Sequence, residues 1–320
     1  MFAVTATSIA PDDPLSGLTL GERPEPDPPP GWEVVEVRAA ALNHHDLWTL
    51  RGIGIDPGRL PIVLGCDAAG VTRDGREVVV HAVVADPDGS DETLAADFSI
   101  LSERYDGTFS ERVAVPARNL VPKPEALSFE EAACLPVAYL TAYRMLFTRG
   151  ELRPGDRVLI QGAGGGVSTA MILLARAAGM HVTVTSRDEA KLARALELGA
   201  HDALASGKRL ATRVDAVMET VGEATWAHSM RSLRPGGTIV VSGATSGPNP
   251  PADLARLFYR QVRVIGSTMG TRDELVRLVQ LLDATGVRPL IDDVSPLTEA
   301  ADSFARMQQG ELFGKLVLTT

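Results

Sequence analysis

A cluster of glycines in the second half of the chain has the residue types and spacing that bind a phosphate group. The loop GAGGGVS, which starts at Gly162, follows the apolar run RVLIQ and precedes the helix-forming run TAMILLARAAG. Glycines let a pyrophosphate approach the backbone, and the N-terminus of the next helix supplies free N–H donors. This context predicts a dinucleotide site at Gly162, Gly165, Gly166 and Val167. An ordinary tight turn between strand and helix is the alternative.

The end of the next predicted strand indicates which dinucleotide binds. Sites for NAD usually place an acidic residue there, where it binds the ribose 2′-hydroxyl. This chain has Ser186 and Arg187 instead, with Lys191 one helical turn later. A hydroxyl and a guanidinium both donate to a 2′-phosphate, so these residues favour NADPH. The alternative is a solvated helix start, because Asp188 and Glu189 adjoin Arg187.

The glycine loop lies in a region where strand and helix patterns alternate. The predicted strands are Arg157–Gln161, His181–Thr185, Val214–Met218, Thr238–Ser242 and Val262–Ile265. The predicted helices cover residues 167–178, 188–198, 223–233, 252–260 and 271–285. Such alternation predicts an α/β fold with a doubly wound parallel sheet of the Rossmann type.

The first third of the chain has a different pattern. Residues 21–31 contain five prolines and cannot form a helix or a central strand. Short β-branched runs follow at Trp32–Val37, Glu77–Val84 and Arg112–Val115, and they predict a small all-β unit. Residues 86–92 are expected to form an exposed acidic loop.

Two further helical segments flank the alternating region. The segment 128–147 is predicted to be helical, to begin with a capping box of Ser128 and Glu131, and to be kinked at Pro136. The tail is predicted to be helical over 297–309 and to end in a strand, Lys315–Leu318.

The length, the net charge and the cysteine content of the chain limit its possible functions. The 320 residues suggest two domains, and the net charge of −10 disfavours general binding to nucleic acid. Two cysteines are too few for a disulfide framework or a four-thiolate zinc site. The N-terminal residues do not resemble a signal peptide, and no long uncharged apolar stretch suggests a membrane span. We therefore expect a cytoplasmic protein with neither nucleic acid nor membrane as partner.

Several segments, in order, resemble the medium-chain dehydrogenase/reductase superfamily over nearly the whole length. They include ALNHHDLW, LPIVLGCDAAGV, GTFSERVAVPARNLVPKP, LTAYRML, PGDRVLIQGAGGGVS, RPGGTIVVSGATSG and FGKLVL. The resemblance implies a GroES-like β domain that carries the substrate and catalytic residues, over residues 1–122 and completed by 287–320. It also implies a Rossmann NADP-binding domain over residues 123–286, and that the tail packs on the first domain.

The resemblance also allows the zinc ligands of related alcohol dehydrogenases to be compared. Their three ligand positions correspond to Asn43, Cys66 and a position near Val137, and only Cys66 can bind zinc. The lobe with four closely spaced cysteines that holds their structural zinc has no counterpart here. The chain therefore resembles the zinc-independent, quinone oxidoreductase-like subgroup, and we expect no metal. An improvised metal site involving Cys66, Asp67 and His44 or His45 is the alternative.

Three residues are candidates for catalysis by this resemblance: Asn43, His45 and Asp46. Reduction of a quinone or enone builds negative charge on a carbonyl oxygen, which the Asn43 amide or the His45 imidazole can stabilise. Asp46 is expected to orient its neighbours. Asn43 followed by Asp46 is equally the pattern of a helix N-cap with an acid in the first turn.

Further cofactor contacts and a dimer follow from the same resemblance. The residues implied to line the nicotinamide and pyrophosphate are Thr141, Ser242, Gly243, Ala244, Thr268 and Met269. Strand-end turns are the alternative for each of them. Related chains pair through the last Rossmann strand, and the apolar segment Gln261–Ile265 predicts a homodimer of this kind.

These expectations describe an oxidoreductase that transfers a hydride from NADPH to a quinone, enone or other activated carbonyl without zinc. One alternative is an alcohol or aldehyde dehydrogenase with a non-standard metal site. Another is a non-catalytic sensor that binds NADPH.

Overall fold

A computed structural model describes residues 1–85 and 91–320. The strands are β1 (Phe2–Ala6), β2 (Leu18–Glu22), β3 (Trp32–Ala41), β4 (Ile62–Val63), β5 (Asp67–Thr72), β6 (Glu77–Val80), β7 (Val83–Val84), β8 (Ser99–Ile100), β9 (Arg112–Pro116), β10 (Leu120–Pro122), β11 (Arg157–Ile160), β12 (His181–Ser186), β13 (Asp202–Ala205), β14 (Val214–Glu219), β15 (Leu233–Val241), β16 (Arg263–Gly266), β17 (Ile291–Pro296) and β18 (Lys315–Thr319). The α-helices are α1 (His44–Leu50), α2 (Phe129–Ala133), α3 (Leu140–Tyr143), α4 (Gly166–Ala177), α5 (Glu189–Glu197), α6 (Glu223–Ser232), α7 (Leu254–Arg260), α8 (Arg272–Thr285) and α9 (Ala300–Gln309).

The chain divides into two compact units. Unit 1 comprises Met1–Leu140 and Gly270–Thr320, and unit 2 comprises Thr141–Met269. The sequence placed the divisions earlier, at residue 122, and later, at residue 286. The difference arises because α2 packs on β3 and β5, and because Arg272 at the start of α8 donates to Arg118 and to Glu92. Both flanking segments thus belong to unit 1.

Unit 1 is built mainly of β-structure, as the β-branched runs predicted. Its larger sheet has the strand order β10-β6-β5-β3-β18-β17, with β9 also paired to β3, and a smaller sheet has the order β2-β1-β4. The C-terminal strand β18 pairs antiparallel with β3, which places Val317 opposite Ala41. The expectation that the tail packs on the first domain is therefore confirmed. The apolar core includes Val35, Phe109 and Phe304.

Unit 2 is a parallel sheet with the strand order β13-β12-β11-β14-β15-β16. Each neighbouring pair in it is parallel. This is the order of a dinucleotide-binding Rossmann fold, in which strands are added on one side of β11 up to β13 and on its other side from β14 onward. The predicted α/β class is confirmed. The buried core on this sheet includes Leu159, Val217 and Ile239.

The segment predicted as one helix over 128–147 is helical but interrupted. Its start carries the predicted capping box, in which Glu131 N donates to Ser128 Oγ and Ser128 N donates to Glu131 Oε2. The interruption falls at Pro136, in a π-helical turn over Leu135–Tyr139, because proline cannot donate the backbone bond of a regular helix. A second π-helical turn, Arg144–Arg149, ends the segment.

The predicted acidic loop over 86–92 requires a correction. Residues 86–90 lie outside the described residues. Glu92 is described, and it is buried rather than exposed, with its carboxylate accepting from His81 Nε2 and from Arg118. Two basic partners make burial of this carboxylate favourable. Among the described residues, no helix combines the length and the apolar character that crossing a bilayer requires.

Candidate functional site

The first turn of α1 places the three predicted catalytic residues. Asn43 is the N-cap, and its backbone N–H donates to Asp46 Oδ2 at 2.8 Å. Asp46 Oδ1 accepts from Gly65 N at 3.2 Å, so this carboxylate links α1 to the turn before β5. Burial raises the pKa of Asp46 to about 6, although the charge of His45 and the N–H of Asn43 oppose the rise. The capping interpretation of Asn43 and Asp46 is therefore confirmed.

A buried ammonium group, which the sequence analysis did not single out, holds the Asn43 side chain. Lys315 Nζ donates to Leu42 O at 2.7 Å, to Asn43 Oδ1 at 2.7 Å and to Asp67 Oδ2 at 2.9 Å. Its three N–H groups are thereby all used. Lys315 and Asp67 are 2% and 0% exposed, so this is an ion pair shielded from water.

The Asn43 amide and the Asp67 carboxylate are both fully engaged within unit 1. Asn43 Nδ2 donates to Asp67 Oδ2 at 2.8 Å and to Ala41 O at 3.2 Å. Asp67 Oδ1 accepts from Val137 N at 2.8 Å. Burial raises the pKa of Asp67, and the bonds from Lys315 and Asn43 counter it. Both amide hydrogens of Asn43 thus bind the protein itself.

The imidazole of His45 lies between a thiol and a carboxylate. Its Nδ1 is 3.3 Å from Cys66 Sγ, and its Nε2 is 3.2 Å from Glu103 Oε1. Burial lowers the pKa of His45, but contacts with Cys66 and Glu103 and the charge of Asp46 outweigh burial and hold that pKa well above its ordinary value. The His45 side chain keeps 15% of its surface exposed, so a ligand can reach it.

A tight turn after β8 presents one partner of His45, Glu103. Ile100 N donates to Glu103 Oε2 at 2.9 Å, and Ser102 has a φ of 68°, in the left-handed region that favours glycine. Cys66 Sγ donates to Leu101 O at 3.2 Å in the same turn. Burial raises the pKa of the Cys66 thiol. Neither Glu103 nor the turn was identified from the sequence, since no local motif marks them.

The three zinc ligand positions that the resemblance implies are occupied by Asn43, Cys66 and, near the third, Val137. At the first position, Asn43 Oδ1 accepts from the Lys315 ammonium, and at the third, Val137 has no ligating side-chain atom. Of these three positions only Cys66 offers a zinc ligand, and a catalytic zinc needs three from the protein. The residues present therefore do not fit the superfamily's zinc.

The glycine loop in unit 2 has the geometry of a phosphate-binding turn. It joins β11 to α4, which begins at Gly166 with Gly165 as its N-cap. Gly162 and Gly164 have φ values of 81° and 103°, a region open to glycine. Val167 follows in the first turn of α4, whose N-terminal N–H groups suit an anion.

The other predicted cofactor residues all belong to unit 2. Most follow the carboxyl ends of parallel strands, where open α/β sheets bind ligands: Ser186 and Arg187 at β12, Ser242, Gly243 and Ala244 after β15, and Thr268 and Met269 after β16. Lys191 lies in α5, whose N-cap Asp188 accepts from the N–H groups of Ala190 and Lys191. Thr141 is buried in α3.

A buried polar network ties three of these strand ends together. Gln161, after β11, accepts from Thr185 Oγ1 of β12 at 2.6 Å and donates to Ser229 Oγ at 2.9 Å. Ser229 in turn donates to Glu219 Oε2 of β14 at 2.6 Å. Sequence reasoning missed this network because its members are far apart along the chain.

Two family models match the chain, one for each kind of unit. Residues 29–125 match the alcohol dehydrogenase GroES-like domain, and residues 166–284 match the family described as zinc-binding dehydrogenase. A zinc-type alcohol dehydrogenase-like protein of Schizosaccharomyces pombe is 33% identical over 316 residues, which is 90% of this chain and 91% of that protein. The acryloyl-coenzyme A reductase of Metallosphaera sedula is 30% identical over 328 residues, which is 95% of this chain and 97% of that protein.

A solved structure supports the same assignment. The crystal structure of an NAD-dependent alcohol dehydrogenase is 33% identical, covers 100% of both chains and superposes with a TM-score of 0.92. Fold, domain matches and full-length similarity agree. The chain therefore belongs to the medium-chain dehydrogenase/reductase superfamily, as an oxidoreductase with a GroES-like unit and a Rossmann unit.

Proposed function

We propose that this oxidoreductase transfers a hydride from NADPH to a quinone, enone or other activated carbonyl without zinc. The observation that carries the proposal is the Lys315 ammonium, which binds Asn43 and Asp67 at 2.7 and 2.9 Å. Asn43 occupies one of the superfamily's zinc ligand positions. Here its side-chain oxygen accepts a hydrogen bond from the buried Lys315 ammonium instead of binding a metal ion. The acryloyl-coenzyme A reductase among the relatives is consistent with reduction of an activated double bond.

The reduction needs a donor to the substrate oxygen. Hydride adds to an electrophilic carbon, negative charge develops on the carbonyl oxygen, and a proton must follow. The Asn43 amide was one predicted donor, but its hydrogens go to Ala41 O and Asp67. His45 is the better candidate, because its ring stays partly exposed and its contacts with Cys66 and Glu103 are long, at 3.3 and 3.2 Å, so that a substrate oxygen can replace one of them. Asn43 and Asp46 then position α1, and with it His45.

The preference for NADPH rests on the residues after β12. Ser186 and Arg187 offer a hydroxyl and a guanidinium for a 2′-phosphate. The nearby acid Asp188 is used as the N-cap of α5, since its Oδ1 accepts from Ala190 N at 2.8 Å and from Lys191 N at 3.2 Å. NADH stays the alternative, because the similar solved structure is of an NAD-dependent enzyme.

Adjacent histidines provide a matched test of the donor. His45→Phe should lower kcat for NADPH-dependent reduction by about 100-fold, which is the usual effect of losing one donor to a developing oxyanion. His44→Phe, one residue away and exposed, is the control and should keep the wild-type rate. NADPH affinity should be unchanged in both variants. Equal rates in the two variants would contradict the role of His45.

A homodimer through the edge of unit 2 is part of the same proposal. β16 ends the sheet order, and apolar side chains beside it are exposed, including Phe258 at 73% and Tyr259 at 80%. Contiguous exposed apolar groups at a strand edge favour association. Sedimentation should give twice 33.9 kDa, and Val264→Lys in β16 should give a monomer. A wild-type monomer would contradict the dimer.

A further inference from the structure

The buried polar network of unit 2 lies at the edge of the sheet where the predicted cofactor residues also lie. We call it the strand-end network, and each of its members is at most 5% exposed: Gln161, Thr185, Glu219, His228 and Ser229. A Rossmann fold binds its dinucleotide outside the carboxyl ends of the strands, at the point between β11 and β14 where the strand order changes side. The strand-end network joins the ends of these two strands and of β12.

The hydrogen bonds of Gln161 give its amide a single orientation. Its Oε1 accepts from Thr185 Oγ1 at 2.6 Å, and its Nε2 donates to His228 Nδ1 and Ser229 Oγ, both at 2.9 Å. The other ring nitrogen of His228 donates to Lys208 O at 2.8 Å. Turning the amide over would place its hydrogens against a donor and its oxygen against two acceptors that need a hydrogen. The network is therefore directional.

Glu219 connects the network to the backbone turn that follows β14. Its Oε2 accepts from Ser229 Oγ at 2.6 Å. Its Oε1 accepts from Val221 N at 2.9 Å and from Gly222 N at 3.0 Å. A single buried carboxylate thus sets the course of the backbone over residues 220–222, which we call the β14 turn.

The β14 turn contacts two of the segments predicted to bind the cofactor. A Cβ atom added at Gly162 of the glycine loop would lie only 3.2 Å from Val221 Cγ2. A Cβ atom added at Gly222 would lie only 3.0 Å from Ala244 Cα, in the segment after β15. Because the turn packs closely against both segments, a change in its shape must shift the backbone on either side.

We propose that Gln161, Ser229 and Glu219 are positioning residues for the dinucleotide. Through the β14 turn and the glycine loop they hold the backbone in the shape that the cofactor binds, and they do so without touching the cofactor. Gln161 directly precedes Gly162 of that loop. All three side chains are fully buried and bind other protein groups. The proposal goes beyond the proposed reduction, because it concerns the affinity for the dinucleotide rather than the acceptor.

A positioning role predicts equal losses for the two dinucleotides. The network holds backbone that both would contact, whereas Arg187 is predicted to recognise only the 2′-phosphate. Glu219→Ala leaves the N–H groups of Val221 and Gly222 without their acceptor. If the β14 turn then keeps its shape in about 1–10% of the molecules, the affinities for NADPH and NADH both fall by about 10- to 100-fold. Glu219→Gln should stay within about threefold of wild type, because an amide oxygen still accepts from both N–H groups.

Asp215 provides a matched control in the same strand. Its Oδ2 accepts from Arg157 N at 2.8 Å, so this carboxylate also joins β14 to β11, but at their amino ends. Asp215→Ala should lower the urea midpoint, as Glu219→Ala does, and leave both affinities unchanged. Ser229→Ala breaks only the link between Gln161 and Glu219. It should weaken both dinucleotides by about 3- to 10-fold, and it replaces Glu219→Ala if that variant does not fold.

The test is isothermal titration calorimetry of the full-length protein with NADPH and with NADH, after circular dichroism has established that each variant is folded. Parallel losses for both dinucleotides in Glu219→Ala or Ser229→Ala, with recovery in Glu219→Gln and no loss in Asp215→Ala, would support the proposal. Wild-type affinity in both Glu219→Ala and Ser229→Ala, or an equal loss in Asp215→Ala, would overturn it. Failure of wild-type protein to bind either dinucleotide would also overturn it. No acceptor or metal enters the measurement, so failure of the reductase proposal would leave the result unaffected.

Discussion

Removing the Lys315 ammonium should destabilise unit 1 more than any exposed ion pair does. Lys315→Met keeps the length and apolar stem of the side chain but removes three hydrogen bonds and the only charge within 2.9 Å of Asp67 Oδ2 among the described residues. Asp67 is then a buried carboxylate whose cationic partner is gone. The change isolates the charge, because little volume is lost.

The expected cost follows from the burial of the pair. Removing one partner of a buried ion pair costs about 3–5 kcal/mol, since the other charge is left uncompensated. At a slope of about 2 kcal/mol per molar urea, 4 kcal/mol lowers the urea midpoint by about 2 M. Adding Asp67→Asn removes that charge, so the double variant should be more stable than Lys315→Met alone. Arg38→Met, which breaks an exposed pair with Glu36, should cost only about 0–1 kcal/mol.

The assay must report on unit 1 rather than on the whole chain. Trp32 and Trp48 lie in unit 1, whereas Trp226 lies in unit 2. Urea unfolding followed by tryptophan fluorescence in a Trp226→Phe background therefore reports unit 1. If Lys315→Met lowered the urea midpoint no further than Arg38→Met does, the claim that the buried Lys315–Asp67 pair stabilises unit 1 would be refuted. The same conclusion would follow if Asp67→Asn further destabilised the Lys315→Met protein.

Two further predictions concern cofactor choice and acid stability. Arg187→Glu should weaken NADPH binding by about 10- to 100-fold, because it removes a charge-assisted hydrogen bond to the 2′-phosphate, and it should change NADH binding little. Calorimetry measures both affinities, and an equal loss of both would contradict the 2′-phosphate assignment. Burial raises the pKa of Glu92, but His81, the Arg272 N–H and Arg118 outweigh it and lower that pKa to about 2. The resulting stability, at most about 3 kcal/mol, is present above the unfolded pKa of about 4.5 and is lost as pH falls toward 2. Glu92→Gln should therefore reduce the fall in urea midpoint between pH 5 and 3, and an unchanged fall would refute this pairing.

The Rossmann unit could be predicted well because its signals are local. Strand and helix periods alternate along 157–265, and the turn at Gly162 requires a positive φ that the sequence supplies with glycine. Five predicted strands correspond to β11, β12, β14, β15 and β16. The short exposed strand β13 was missed, since its residues carry no strong apolar alternation.

The polar interactions of unit 1 could be predicted only in part, because its pairings are between distant residues. The capping pattern of Asn43 and Asp46 is visible within four residues of sequence. Lys315 reaches the same site from 272 positions away, and only strand pairing of β18 with β3 brings it there. Glu103 depends on a turn with an unusual φ at Ser102, which the sequence does not encode as glycine. Burial of Glu92 likewise arises from distant partners.

The central property proposed for this protein is hydride transfer from NADPH without zinc. The most direct measurement is NADPH consumption with a quinone and with a simple enone, before and after treatment with a chelator. We predict turnover of at least one acceptor, at a rate that is unchanged after treatment with the chelator and exchange into buffer without Zn²⁺. Loss of turnover with the chelator and its return with Zn²⁺ would contradict the claim. NADPH binding without turnover of either acceptor would contradict it in favour of a sensor.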